Sequence, residues 1–355
     1  MAHIIVLSGG GTGGHIFPAL ALAGVIRKFE PTAVLHFIGT ERGVGTRYIR
    51  DAGYDIDAVA SAPLVGRGLA QKLRGASTLL RGTLEARRVL RRIGANLVIG
   101  VGGYASVPAV LAAKSLGLPT ALIEPDAEPG RANRLLGKLA DAVFVQFEDA
   151  LRHFPAGRAS VTGFPVREIP DRVAPEPGAG VRLLVLGGSQ GARSINDAIV
   201  GCLDSLGEMG LQVTHQTGPR NFEETRAAYA AAGFVADVAP FFDDMPQRLA
   251  RADLVVGRAG ASSVAEFCRA RLPQILVPYP YAAGGHQAEN AFEIERAGAC
   301  VIVLDADAGA QLGAVIRSLV FDREKRERMS LAAHRRAAPE AAQLIWERCL
   351  GLLGH

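Results

Sequence analysis

Twice in this chain an apolar run of strand length ends in clustered glycines and opens into a helical pattern. The first reads IIVLSGGGTGGH from Ile4 to His15, the second LLVLGGSQGAR from Leu183 to Arg193. Strand, glycine turn and helix in that order open a βαβ unit, which commits the surrounding sequence to a parallel sheet. Short apolar runs and longer helical patterns alternate after each opening. Strands are expected at His3–Ser8, Val34–Ile38, Leu97–Val101, Thr120–Ile123 and Ala142–Val145, then at Arg182–Leu186, Asp253–Val256 and Gln274–Val277. Helices are expected from about Ser106, over Ser262–Arg271, and from about Asp322 to the end. Between the two sets lies PDRVAPEPGAG, Pro170 to Gly180, which is poor helix and poor strand and reads as a linker. At 355 residues the chain exceeds one ordinary core. The expectation is an α/β protein of two doubly wound Rossmann-like parallel-sheet domains facing each other across a cleft, with ligands at the carboxyl ends of the strands.

Composition narrows the class. Forty-two glycines with only 6% aromatic residues suit a protein rich in tight βα turns. A net charge of +4 favours anionic partners but does not argue for nucleic acid. Cys202, Cys268, Cys300 and Cys349 are scattered without CxxC spacing, so they are expected as free thiols in a reducing compartment. The opening HIIVLS carries no charged leader, so no secretory signal is expected. The uncharged stretch Ile93–Ala113 reaches membrane-spanning length. Its Gly100, Gly102, Gly103 and Pro108 make strand, turn and helix the better reading.

The glycine loops carry the chemistry. Gly9, Gly11 and Gly14 match GxGxxG, the dinucleotide fingerprint. Pro18 argues against that use, because an interior proline costs about 3 kcal/mol and should delay the helix to Phe17–Pro18. Gly187–Ala192 is the better diphosphate candidate: amides at a helix N-terminus beside the Ser189 hydroxyl, with the helix dipole adding stabilisation. A structural turn without a ligand explains the same residues. Gly102–Gly103–Tyr104 forms a third glycine turn. His15 is either a helix-end residue of no chemical consequence or, at the carboxyl end of the first strand, a general base of near-neutral pKa.

Taken in order, GGGTGGHIFPA, GGYASVPA, GFPVR, GGSQGAR, FFDDM, RAGASSVAE and HQAENA resemble the motifs of the MurG family over nearly the whole chain. That resemblance implies a two-domain GT-B glycosyltransferase of peptidoglycan synthesis, working by inversion without a cofactor or bound metal. UDP-N-acetylglucosamine would be the donor substrate and a lipid-linked muramyl peptide the acceptor. It further implies an acceptor- and membrane-binding domain over residues 1–163, with a helix near 336–355 packing back, and a donor domain over 164–335. His15 would be the catalytic base. Gly13, Gly14, Gly102, Gly103 and Tyr104 would serve the acceptor diphosphate. The donor set would comprise Thr12, Gly13, Gly14, Asp126, Arg167, Ser189, Phe242, Gln287 and the run Ala261, Ser262, Ser263, Val264, Ala265 and Glu266. Phe242 would act through its backbone at the uracil, and Glu266 would accept from the ribose hydroxyls. One stretch departs from the family pattern: where HEQN is common, this chain has Ile123–Glu124–Pro125–Asp126. The change leaves open a paralogue with another nucleotide sugar or acceptor. A non-catalytic nucleotide-sugar-binding protein would keep Ser189 and Glu266 but would not depend on His15. Asp305–Ala306–Asp307 matches a metal-binding DxD and is read as an ordinary polar turn.

Between Pro63 and Arg92 eight basic residues face one acid, Glu85. Arg67, Leu69, Lys72, Leu73 and Arg74 mix cations with apolar side chains, as the surface of an anionic bilayer demands. The later part, Leu84 to Leu90, is expected to belong to the core. The chain is thus expected at the cytoplasmic face of the bacterial inner membrane, as a peripheral protein, with other cell-wall enzymes as candidate partners and no nucleic acid.

Overall fold

The computed structural model describes residues 2–10, 13–40, 45–61, 69–174, 178 and 180–354, and of residues 45, 69–73 and 283 the backbone alone. The chain divides into two units, Met1–Arg167 with Ala338–His355, and Glu168–Ala337.

Among the described residues the first unit holds a sheet of seven parallel strands. They are β1 (Ile4–Ser8), β2 (Val34–Gly39), β3 (Asp55–Ala58), β4 (Leu97–Gly100), β5 (Thr120–Glu124), β6 (Ala142–Val145) and β7 (Ala159–Val161). Their spatial order is β3-β2-β1-β4-β5-β6-β7. The second unit has six parallel strands: β8 (Arg182–Leu186), β9 (Gln212–Gln216), β10 (Ala236–Ala239), β11 (Leu254–Gly257), β12 (Gln274–Leu276) and β13 (Cys300–Ile302). Their order is β10-β9-β8-β11-β12-β13. In each sheet the order reverses once, between β1 and β4 and between β8 and β11. Ligands of doubly wound sheets gather at the carboxyl ends of the strands at such a reversal.

The central strands are covered on both faces, which is why they read as unbroken apolar runs. Val6, Val98, Leu122 and Val143 pack with Val110, Ala86 and Leu90 from neighbouring helices. In the second unit Val185, Val213, Val256 and Ile275 pack with Ile195, Ile199, Leu312 and Ile316. The helix Ala341–Leu353 buries Trp346 and packs on the helix Gly13–Phe29.

Two expectations need correcting. The first helix begins at Gly13, not at Phe17–Pro18, and keeps Pro18 inside it. Pro18 is its sixth residue, so a single helical hydrogen bond, the one to the Gly14 carbonyl, is lost. Burial of Ile16, Pro18, Ala19, Leu22, Ala23 and Ile26 along one face outweighs that loss. In the helix Leu69–Ile93, Leu84 is exposed together with Leu80, whereas Ala86 and Leu90 are buried. The core therefore takes only part of Leu84–Leu90. Gly82 lies so close to the Ala60 carbonyl that a Cβ would meet it at 1.8 Å, which fixes the face that points inward.

Candidate active site: two half-sites at the sheet reversals

In the first unit β1 runs into Gly9 and Gly10, and the helix Gly13–Phe29 follows. Thr12 lies outside the described residues. His15 stands in the first turn of that helix, with Nδ1 3.2 Å from the Val101 carbonyl oxygen. A carbonyl can only accept, so in the neutral ring the proton sits on Nδ1 and Nε2 is the basic nitrogen. The turn after β4 wraps this imidazole. A Cβ on Gly102 would lie 2.9 Å from His15 Nδ1, and one on Gly103 would lie 3.3 Å from Nε2 and 3.2 Å from the Gly10 carbonyl. Both glycines also have positive φ, +93° and +74°. The structure thus brings Gly13, Gly14, His15, Gly102, Gly103 and the exposed Tyr104 together at the β1/β4 reversal.

One strand further on, β5 ends in Glu124, which is 1% exposed. Its Oε1 accepts the Asp126 backbone N–H at 2.9 Å and its Oε2 accepts from Asn133 Nδ2 at 2.8 Å. Burial, reinforced by the Asp126 charge, pushes its carboxyl up to about 8. Asn133 also donates to the Ile123 carbonyl, while its own Oδ1 is buried without a hydrogen-bond partner. Asp126 is half-buried at this edge of the first unit. Arg167 also belongs to the first unit, its guanidinium 4.3 Å from the centre of the Phe17 ring.

In the second unit β8 runs through Gly187–Ala192 into the helix Arg193–Val200. Here the glycines answer to backbone. A Cβ on Gly187 would lie 2.5 Å from the Ala192 nitrogen, one on Gly191 2.4 Å from the Thr217 carbonyl, and one on Gly218 2.4 Å from Gly191 Cα. Gly188 has φ +75° and open space, leaving Ser189 and Gln190 exposed at the tip. Residues that sequence patterns did not single out hold this loop. Gln216 Nε2 donates to the Gly188 carbonyl, and its Oε1 accepts the Phe242 backbone N–H at 3.0 Å. That leaves Phe242 its carbonyl as the backbone group for a ligand; its ring is buried, with the Arg248 guanidinium 3.5 Å from the ring centre. Asn196 Nδ2 donates to the Thr217 carbonyl, and its Oδ1 accepts from His215 Nε2, whose Nδ1 accepts the Tyr229 hydroxyl. Burial drops the His215 imidazole to about 3, so the ring is neutral.

Beyond β11 the helix Ala261–Arg269 starts at Gly260, which supplies no side-chain cap. Its first turn, Ala261, Ser262 and Ser263, presents the positive end of the helix dipole. Val264 is fully buried, and Ala265 and Glu266 are half-buried. Arg258, directly ahead of this helix, donates to the Val277 carbonyl, to Asp305 and to Ser194. Asp305 also accepts from the Ser194 hydroxyl, so this member of the DxD is engaged within the fold. Gln287 accepts the Tyr279 backbone N–H on Oε1 at 2.9 Å. Buried Asn290 pins the turn before the helix by donating to the Ala259 carbonyl. Asn196 lies on the helix that follows the glycine turn and Arg258 in the turn between β11 and the next helix, and no local pattern singles either out.

Of the basic stretch, Arg67 lies outside the described residues and the side chains of Leu69, Lys72 and Leu73 are not described. Arg74 is exposed. Glu85 accepts from the Ala60 N–H and from Arg81, and these bonds hold its carboxylate below the usual range. Arg87 is bonded to Ser115 and Arg92 to Asp57. Among the described residues no helix is long and apolar enough to cross a membrane, and no three His, Cys, Asp or Glu side chains converge as a metal site.

Family models place the class. The glycosyltransferase family 28 N-terminal domain matches residues 5–145, and the family 28 C-terminal domain matches residues 182–345. A transferase of Anaeromyxobacter dehalogenans is 41% identical over 98% of this chain and 93% of its own. It is named UDP-N-acetylglucosamine–N-acetylmuramyl-(pentapeptide) pyrophosphoryl-undecaprenol N-acetylglucosamine transferase. The enzyme of that name from Myxococcus xanthus is 39% identical over the same shares. The crystal structure of Acinetobacter baumannii MurG superposes with a TM-score of 0.77 at 28% identity, covering 98% of each chain. The calicheamicin glycosyltransferase CalG4, at 17% identity and a TM-score of 0.69, shares the fold. The chain belongs to the MurG family of glycosyltransferases.

Proposed function

We propose that this protein transfers N-acetylglucosamine from UDP-N-acetylglucosamine to the C4 hydroxyl of undecaprenyl-diphosphate-linked N-acetylmuramyl peptide, the lipid I to lipid II step of peptidoglycan synthesis. The observation that carries the reading is His15, whose Nδ1 contact with Val101 leaves Nε2 as the basic nitrogen beside the Gly102–Gly103 turn. Nε2 takes the proton from the acceptor hydroxyl as its oxygen forms the bond to the sugar C1. The bond from C1 to the UDP phosphate breaks on the opposite side, so the anomeric centre inverts. The departing diphosphate carries the negative charge, and the start of the helix Ala261–Arg269 stabilises it together with the Ser262 and Ser263 hydroxyls. The chain's own groups thus supply base and leaving-group stabilisation without a bound metal.

The first unit is the acceptor side and the second the donor side. Glu266 is assigned to the ribose hydroxyls, the Phe242 carbonyl to the uracil, Ser189 to the diphosphate, and Gln287 to the sugar. Arg74, Leu80 and Leu84 are exposed on one helix and suit peripheral attachment to an anionic membrane surface. Incubation of purified protein with UDP-N-acetylglucosamine and a short-chain lipid I analogue, followed by mass spectrometry, should yield the disaccharide. Failure to form it, with UDP still bound in a parallel titration, would move the assignment to another sugar or acceptor and make Asp126 the suspect.

A further inference from the structure

The loop between β12 and the helix His286–Arg296 carries two tyrosines that no step above uses. Tyr281 is 82% exposed and Tyr279 44%. Their rings meet edge to face, with centroids 5.7 Å apart at 71°. Tyr279 is tied into the nucleotide-sugar half-site on two sides. Its backbone N–H donates to Gln287, and its ring centre lies 5.4 Å from the Arg258 guanidinium, which is anchored ahead of the helix Ala261–Arg269. The loop then turns through Gly284 and Gly285, at φ +70° and +73°, with nothing within 4 Å of where either Cβ would stand. These glycines serve the backbone path and not packing, so the path itself sets where the tyrosines stand.

With its Oε1 occupied by Tyr279, Gln287 can offer a ligand the two N–H donors of its amide. A nucleotide sugar with its diphosphate at the start of the helix Ala261–Arg269 carries its hexose on the outer phosphate through one oxygen, and Gln287 is the amide assigned to that sugar. A pyranose has a face of C–H groups, and the face of an aromatic ring is its electronegative side. Ligand sites of this kind combine aromatic walls with a few fixed polar groups.

We infer that Tyr281, steadied by Tyr279, contacts the donor sugar by stacking its ring on the C–H face of the hexose while Gln287 donates to the hydroxyl oxygens. The inference deepens the UDP-sugar reading of this half-site and rests on it.

The full-length protein is titrated calorimetrically with UDP-N-acetylglucosamine and, separately, with UDP, which lacks the hexose. Wild-type protein that binds neither ligand would sink the half-site reading itself. If wild type binds both, Tyr281→Ala should weaken UDP-N-acetylglucosamine about three- to tenfold, leave UDP unchanged, and be rescued by Tyr281→Phe. Equal weakening of both ligands would assign the ring to the nucleotide or to the fold and overturn the inference. So would unchanged donor affinity with a raised acceptor KM, unchanged affinities throughout, or a Tyr281→Phe variant as weak as Tyr281→Ala.

Discussion

The two units open with the same device, strand to glycine turn to helix, yet their glycines answer to different neighbours. In the first, the turn after β4 that faces the opening yields mainly to a side chain, Gly102 to the His15 imidazole and Gly103 to that ring and the Gly10 carbonyl. In the second, Gly187, Gly191 and Gly218 yield to backbone, so that one loop can lie against the next. The polar groups buried behind each opening differ in the same spirit. Glu124 in the first unit is a buried acid that keeps its proton well above the ordinary carboxyl range. His215 in the second is a buried base that stays neutral far into acid. The first turn closes around an imidazole, and the second is braced backbone against backbone.

The sharpest way to break this contrast is to remove the imidazole. His15→Ala should lower kcat about a hundred- to ten-thousandfold, the usual weight of a general base, while UDP binding by calorimetry stays at the wild-type value. Gly102→Ala should act in the same direction, because a Cβ 2.9 Å from Nδ1 displaces the ring. Retained turnover in either variant would remove His15 from the reaction.

Gly191→Ala should do the reverse. Its φ of +80° alone costs about 1–3 kcal/mol, and the Thr217 carbonyl stands 2.4 Å from the new Cβ. UDP affinity and thermal stability should fall together, and the loss of UDP affinity should exceed any change in affinity for an acceptor analogue. A variant that melts and binds UDP like wild type would show that the loop is not held by this contact.

Stability against pH separates the units next. The His215 imidazole drops from 6.5 to about 3, so the unfolded chain binds the extra proton and stability falls as pH drops below 6.5 toward 3. Glu124 is raised from 4.5 to about 8, so the folded chain binds the extra proton and stability falls as pH climbs from 4.5 through 8. Melting curves of Glu124→Gln should therefore lose the alkaline slope and keep the acid one. An unaltered alkaline slope would mean that other groups set it.

The smallest expected effect concerns attachment. Leu80→Ser with Leu84→Ser should cut co-sedimentation with anionic vesicles about tenfold, each leucine contributing through the apolar area it can bury, with soluble-acceptor turnover unchanged. Equal sedimentation of variant and wild type would place the membrane face elsewhere.

The sequence by itself determined the parallel sheets and where their glycine turns fall. β1, β4, β8 and β11 are buried on both faces, and that burial writes itself as an apolar run ended by glycine. His15, Gly102 and Ser189 are legible for the same reason, since each follows such a run. Only the tertiary structure decided the rest. β9 reads QVTHQ with Val213 its one apolar residue, because His215 and Gln216 are buried by partners on other elements, Tyr229, Asn196, Gly188 and Phe242. Pro18 stays helical because one lost hydrogen bond is outweighed by the face it helps bury. Arg258 and Asp305 meet across 47 positions of sequence, and Asn196 reaches Thr217 across 21. Local patterns record which residues prefer water or apolar surroundings; which polar groups satisfy one another inside a fold is set by contacts that no local window contains.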